Sequence, residues 1–126
     1  MAGRTDGLIK SFRALAAIAA RTIVKFGADD DSVATATAAA DMSIGVTGEL
    51  AAAVGERCDI HMGDIAEVRY GGAVTRGDPL TADGTGRAVT AAPGAGVKVR
   101  IIGFAMASGA ADDIAPARIA PGMFTG

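Results

Sequence analysis

Tyr70 to Val89 reads YGGAVTRGDPLTADGTGRAV and carries three turn signals: Gly71-Gly72, Gly77-Asp78-Pro79 and Asp83-Gly84-Thr85-Gly86. The runs between them, Ala73-Val74-Thr75 and Pro79-Leu80-Thr81, are too short for helices. Glycine tolerates positive φ, whereas proline fixes φ and has no N–H to give a strand ladder. The stretch therefore predicts a tight β-corner followed by a hairpin turning at Asp83-Gly84. The rest of the chain is read outward from this piece as β-structure.

Upstream, Ala66–Tyr70 alternates cleanly, as do Ser32–Ala38 and the shorter Asp41–Val46, and Gly55–Ile60 leads to a further strand. Downstream, Val97–Ile102 reads as another. Leu8–Phe26 fits both periods: Leu8, Phe12, Leu15, Ala19, Thr22 and Phe26 at helical spacing, or the even-numbered residues from Phe12 to Phe26 as one strand face. Its alanines favour helix and Thr22-Ile23-Val24 favours strand. Residues 8–16 stay undecided, and about 17–26 is read as a strand. The second half echoes the first with a period of about 58 residues, too long for a solenoid unit. Val33-Ala-Thr-Ala36 is echoed by Val89-Thr-Ala-Ala92, and Ile44-Gly45-Val46 by Ile102-Gly103-Phe104. Ala52-Ala53 is echoed by Ala110-Ala111, and Ile60 by Ile119. Two similar β-hairpin units would form one small barrel or sandwich.

At 126 residues the chain suits one domain, and half of it is apolar. That apolar content is mostly Ala and Val, with 4 Phe, 1 Tyr and no Trp, so the core is thin. A thin core favours self-association. Net charge is −2, but residues 1–27 carry +4 and the remainder −6. A sparse basic end on an acidic body excludes a general nucleic-acid binder, because the body repels phosphate. No run is long and apolar enough for a membrane span. Lys10, Arg13 and Ala14–Ala20 follow the order of a signal peptide, but the run is short and weakly apolar, so a cytoplasmic place of assembly is expected.

The residues that carry chemistry are few. Cys58 and His61 form a C-x-x-H pair without a second pair to complete a zinc site. Three apart on a strand, they point to opposite faces, which argues against a nucleophile–base couple. Asp29-Asp30-Asp31 lacks the spaced ligands and terminal Glu of a calcium loop and reads as a solvated turn. Phosphate loops, nucleophile elbows and dinucleotide fingerprints are absent. No enzyme activity, cofactor or metal is expected.

The run Tyr70–Val89, then Ile101-Ile-Gly-Phe-Ala-Met-Ala-Ser-Gly-Ala110, then Ala120-Pro-Gly122, resembles the capsid decoration (cement) proteins of tailed bacteriophages. Arg21-Thr-Ile-Val-Lys-Phe-Gly27 and Ser43-Ile-Gly-Val46 fit as well, so the resemblance spans roughly residues 12–123. It implies a mainly β fold, a small β-barrel or β-tulip-like sandwich. It further implies a structural virion protein on the outer surface of the phage head, assembled in the bacterial host cytoplasm. Such proteins sit as homotrimers at local threefold positions and bridge major capsid protein subunits. The resemblance implies no catalytic residues, small-molecule substrate, nucleic acid or membrane as partner.

Residues 1–16 combine Arg4, Lys10 and Arg13 with Leu8, Ile9, Phe12 and Leu15, a mixture too apolar for a solvated tail and too short to fold alone. They are read as an extended N-terminal arm on a β-barrel decoration domain of residues 17–126. Arg4, Leu8, Lys10, Phe12 and Arg13 are its expected capsid-binding residues, and removal of residues 2–13 would then leave the fold intact. Two other readings remain: a lipoyl- or biotinyl-like carrier domain, for which Lys98 would be the modified residue, and a small enzyme using Cys58 or His61.

Overall fold

In a computed structural model, residues 9–126 are described. They form strands β1 (Ile9–Ala14), β2 (Ile23–Phe26), β3 (Ser32–Thr35), β4 (Ser43–Thr47), β5 (Arg57–His61), β6 (Asp64–Arg69), β7 (Pro79–Ala82), β8 (Ala88–Thr90), β9 (Lys98–Ala105) and β10 (Ile114–Thr125), with no helix among them. The expected hairpin is present: β7 and β8 pair Leu80 with Thr90 and Ala82 with Ala88 around the Asp83-Gly84 turn. Gly77 takes φ 91°, as the preceding corner requires.

The strands fall into two equivalent sets. The first closes into a barrel of order β1-β3-β2-β4-β5, and the second is a five-stranded sheet of order β6-β10-β9-β7-β8. Position for position, the neighbours are the same in both. What differs is closure. β1 pairs with both β3 and β5, whereas β6 and β8 meet only at a parallel bridge between Tyr70 and Ala88. Details recur as well. The Ile18–Ala52 bridge reappears as Val74–Gly109. The Ala14 N–H donates to Glu56 O at 2.8 Å, and the Tyr70 N–H to Asp113 O at 2.8 Å. Positive φ falls at Arg21 and Gly77, and again at Gly55 and Asp112.

The internal repeat expected from the sequence is therefore real, with its register corrected in places. Gly45 matches Gly103, as read: the former pairs with Val24, the latter with Leu80. Val33 matches Ala88 rather than Val89, because these two close onto Ala14 and Tyr70 respectively. Ile60 matches Ala117 rather than Ile119, since each faces the fourth strand of its own unit.

Each unit has its own core, and the two interlock. Phe12, Ala14, Ile18, Val24, Val33, Ala52 and Ile60 fill the first barrel. The second core contains Val68, Tyr70, Val74, Leu80 and Ile102, and also takes in Ile23, Ala36 and Val46 from the first unit. Successive residues of a strand face opposite ways. That is why Ile23 and Val24 are both fully buried: they lie in different cores. Across the gap between β6 and β8, the Ile23 N–H donates to Gly86 O at 2.9 Å and Arg21 O accepts the Arg69 N–H at 3.1 Å. The first unit thus completes the second.

The reading of residues 1–16 as an arm needs correction from Ile9 onward. β1 pairs with β5 from Ile9 to Arg13, and Phe12 is 2% exposed. The period-two pattern wins over the helical one because Phe12 and Ala14 are needed to fill the barrel that β1 closes. The strand read over 17–26 shrinks to β2, because Arg21 adopts φ 53° and the Thr22 N–H donates to the Thr47 side chain at 2.9 Å instead of to a ladder.

Candidate functional site

Cys58 and His61 were the natural chemical candidates. β5 alternates so that Cys58 leans inward with Ile60 while His61 faces out. The thiol donates to Phe12 O at 3.6 Å, and burial first, then the Asp59 carboxylate, push its pKa up. It remains a thiol rather than a thiolate nucleophile. Both residues border a cleft of about 450 Å³ with Glu49, Leu50 and Asp59. Among the described residues no three His, Cys, Asp or Glu side chains gather to hold a metal ion. The acidic turn is structural: Asp31 accepts from Arg57 Nη1 at 2.6 Å, and the Arg57 Nε donates to Ser11 Oγ at 3.1 Å, tying turn, β1 and β5 together. Lys98, the carrier-domain candidate, is laddered opposite Thr125 rather than sitting at a hairpin tip.

Of the five residues expected to touch a capsid, Arg4 and Leu8 lie outside the described residues. The other three sit together on β1 with different roles. Phe12, buried in the first barrel, packs edge-on against the exposed Phe26, centroids 6.2 Å apart. Lys10 lies outside it, with its Nζ 4.2 Å from the centre of the Phe12 ring. Arg13 is exposed, and its backbone N–H donates to Asp31 O at 2.7 Å. Phe12 is therefore a core residue, with Lys10 over its ring and Arg13 on the opposite face of β1.

A second surface was not singled out from the sequence. On the outer face of the second unit, Ile65, Arg118, Phe104 and Pro79 form one row across β6, β10, β9 and β7. Ile65 is 55% and Phe104 41% exposed, with Met106 and Ile114 exposed as well. A recess of about 260 Å³ beside Arg118 is lined by Asp64, Ile65, Met106 and Ile119. The available signal was the internal repeat: Phe104 stands where the first unit has Val46, and a large apolar residue at a matched outward position marks a face.

Two interlocked β-units, a half-buried thiol, exposed cations on β1 and an exposed apolar face on the second unit are what the described residues present. The chain belongs to the phage cement protein family, whose model matches residues 4–119. It is thus a capsid-associated structural protein of a phage. No curated protein matches the sequence. Among solved structures, the N base of the head fiber gp8.5 of bacteriophage phi29 is similar, with a TM-score of 0.70 and 17% identity over 90% of this chain and 93% of that one. That likeness establishes a shared fold, and with it the expected small β-barrel architecture.

Proposed function

We propose that the protein binds the outside of a phage head and stabilises it by bridging neighbouring major capsid protein subunits, as three copies around a local threefold position. The observation that carries this reading is the family match over residues 4–119. The thin core supports self-association, since cyclic symmetry lets each copy cover apolar sheet that it cannot cover alone. The role needs no cofactor and no catalysis, and assembly in the host cytoplasm suits a single unpaired cysteine.

Arg4, Leu8, Lys10 and Arg13 are the proposed contacts at the N-terminal side, and Phe12 holds β1 in the barrel. Cations at such a surface select an acidic partner and speed encounter. The test is a particle reconstruction of heads decorated with the protein. Density at local threefold positions touching more than one capsid subunit is expected. Density confined to fivefold vertices, or resting on one subunit alone, would contradict bridging.

A further inference from the structure

We propose that the outer face of the second unit, Ile65, Phe104, Met106 and Ile114 around Arg118, is a second capsid contact, and that its partner is an apolar patch carrying a carboxylate. The proposal rests on the capsid-binding reading and adds to it a surface and a chemistry.

The internal repeat identifies the face. Ile9, His61, Val46 and Ile23 form the row of the first unit that corresponds to Ile65, Arg118, Phe104 and Pro79. Within the first row, Val46 and Ile23 are fully buried against the second unit. The fold therefore already uses this position once to bury apolar surface. In the second unit the same position bears a larger side chain, Phe104, and is open. Met106 extends it, its N–H donating to Pro116 O at 3.1 Å, and Ile114 lies on the same side of β10. Met, Phe and Arg are the residue types enriched where protein interfaces are fully desolvated.

Arg118 determines the partner's chemistry. The ion pairs of the described residues engage Arg21, Lys25, Arg57 and Arg87 and leave Arg118 without a carboxylate. Glu67, on the same side of β6, is already held by Arg21 at 2.6 Å. Covering an apolar face strips water from the guanidinium at its centre, which costs more than it returns unless the partner supplies a counter-charge. Asp64 borders the recess beside Arg118 without forming an ion pair with it among the described residues, and the recess has room for a partner's side chain.

A second copy of this chain fits the face poorly. The joint between the two units depends on N–H groups of Ile23 and Arg69. Repeating that joint between copies would require an N–H from Pro79, which has none, and from Arg13, whose N–H already donates to Asp31 O. That joint therefore cannot recur between copies, which favours a different protein as the occupant of this face.

Co-sedimentation of the full-length protein with undecorated heads of its phage tests this. Phe104→Asp and Arg118→Glu should each weaken binding by about tenfold or more, with unchanged thermal melting because both side chains are exposed. Ile65→Asp serves as a further apolar variant should Phe104→Asp melt early. Arg118→Gln should make binding less sensitive to salt than in the parent protein. Parent-like binding by folded Phe104→Asp and Arg118→Glu would overturn the proposal while leaving capsid binding intact. Conversion of a parent oligomer to monomers by Phe104→Asp, seen by light scattering without heads, would overturn it in favour of a second copy. Failure of the parent protein to bind heads would instead remove the capsid reading on which it rests.

Discussion

Gly45 and Gly103 occupy one position used twice: each lies on the fourth strand of its unit, against a carbonyl of the fifth. A Cβ on Gly45 would run into the carbonyl oxygen of His61, and a Cβ on Gly103 into that of Arg118. Both obstacles are backbone, so neither moves aside without breaking the ladder. Gly103 also holds φ 154°, which side-chain-bearing residues rarely adopt.

Gly103→Ala should therefore destabilise the protein by about 3 kcal/mol or more, and Gly45→Ala by a similar amount through the clash alone. Gly84→Ala is the control, because nothing lies within 4 Å of its added methyl. It should change stability by less than about 0.5 kcal/mol. Urea unfolding curves of the three variants check the contrast, and equal effects at Gly84 and Gly103 would contradict it.

Acid should unfold the protein through its paired aspartates. The Arg57 guanidinium holds Asp31 below the ordinary carboxylate value of 3.8. The Thr37 N–H and then Lys25 do the same for Asp41. For Asp83 burial opposes the charge, but the N–H groups of Thr85 and Arg87, the Thr85 hydroxyl and the Arg87 guanidinium outweigh it. Each folded-state pKa is depressed, so the contribution is complete above the unfolded value and is lost as pH falls through the folded one. The melting temperature should be level near neutrality and fall below about pH 4. Asp83→Asn should flatten that fall.

At the alkaline end Cys58 and Tyr70 both act, since burial raises each above its ordinary value, 9.0 for the thiol and 10.0 for the phenol. The Tyr70 ring is fully buried and its hydroxyl donates to Ala107 O at 2.6 Å. At both groups the unfolded chain ionises first, so stability drops as pH climbs past those values. Tyr70→Phe should cost about 1 kcal/mol at neutral pH through the lost hydrogen bond, yet soften the alkaline drop. Melting curves across the alkaline range separate the two effects.

How far the sequence could be read depended on what decided each element. The hairpin at Asp83-Gly84 and the Gly45–Gly103 match were legible because local turn chemistry and steric need set them. β1 was not, because its strand character comes from β3 and β5, which lie far along the chain and supply the pocket for Phe12. The two-core arrangement was hidden too. Ile23-Val24 reads as an ordinary apolar pair until the second unit arrives to bury Ile23. Of the surfaces, the cations of the N-terminal region stood out by charge. The Phe104 face did not, since Ile65, Phe104, Met106, Ile114 and Arg118 come from three separate segments.

Cys58→Ser combined with His61→Ala should bind heads as the parent protein does. The thiol is protonated and turned inward, and His61 faces out from the same strand, so the two do not act on one atom. Loss of head binding with the fold preserved would reveal a role for the cleft between Glu49 and Asp59.

Truncation of the N-terminus divides one expectation into two. Removing residues 2–13 takes away most of β1, leaves β3 and β5 without a neighbour, and deletes Phe12. Loss of a buried Phe side chain alone costs about 3–5 kcal/mol, against a total stability of about 5–15 kcal/mol for a domain. That truncation should unfold the first unit, and the second should follow, because Ile23 and Arg21 complete it. Removing residues 2–8 keeps every described strand, so the fold should persist while head binding weakens through loss of Arg4 and Leu8. Lys10→Glu with Arg13→Glu should weaken binding further, most at low salt where screening is least. Some stability is also expected to go, because Lys10 leaves the Phe12 ring, a contact of about 0.5–1 kcal/mol. If the shorter truncation and the charge reversal both decorate heads like the parent protein, the N-terminal side is no capsid contact, and the head must be held by other surfaces.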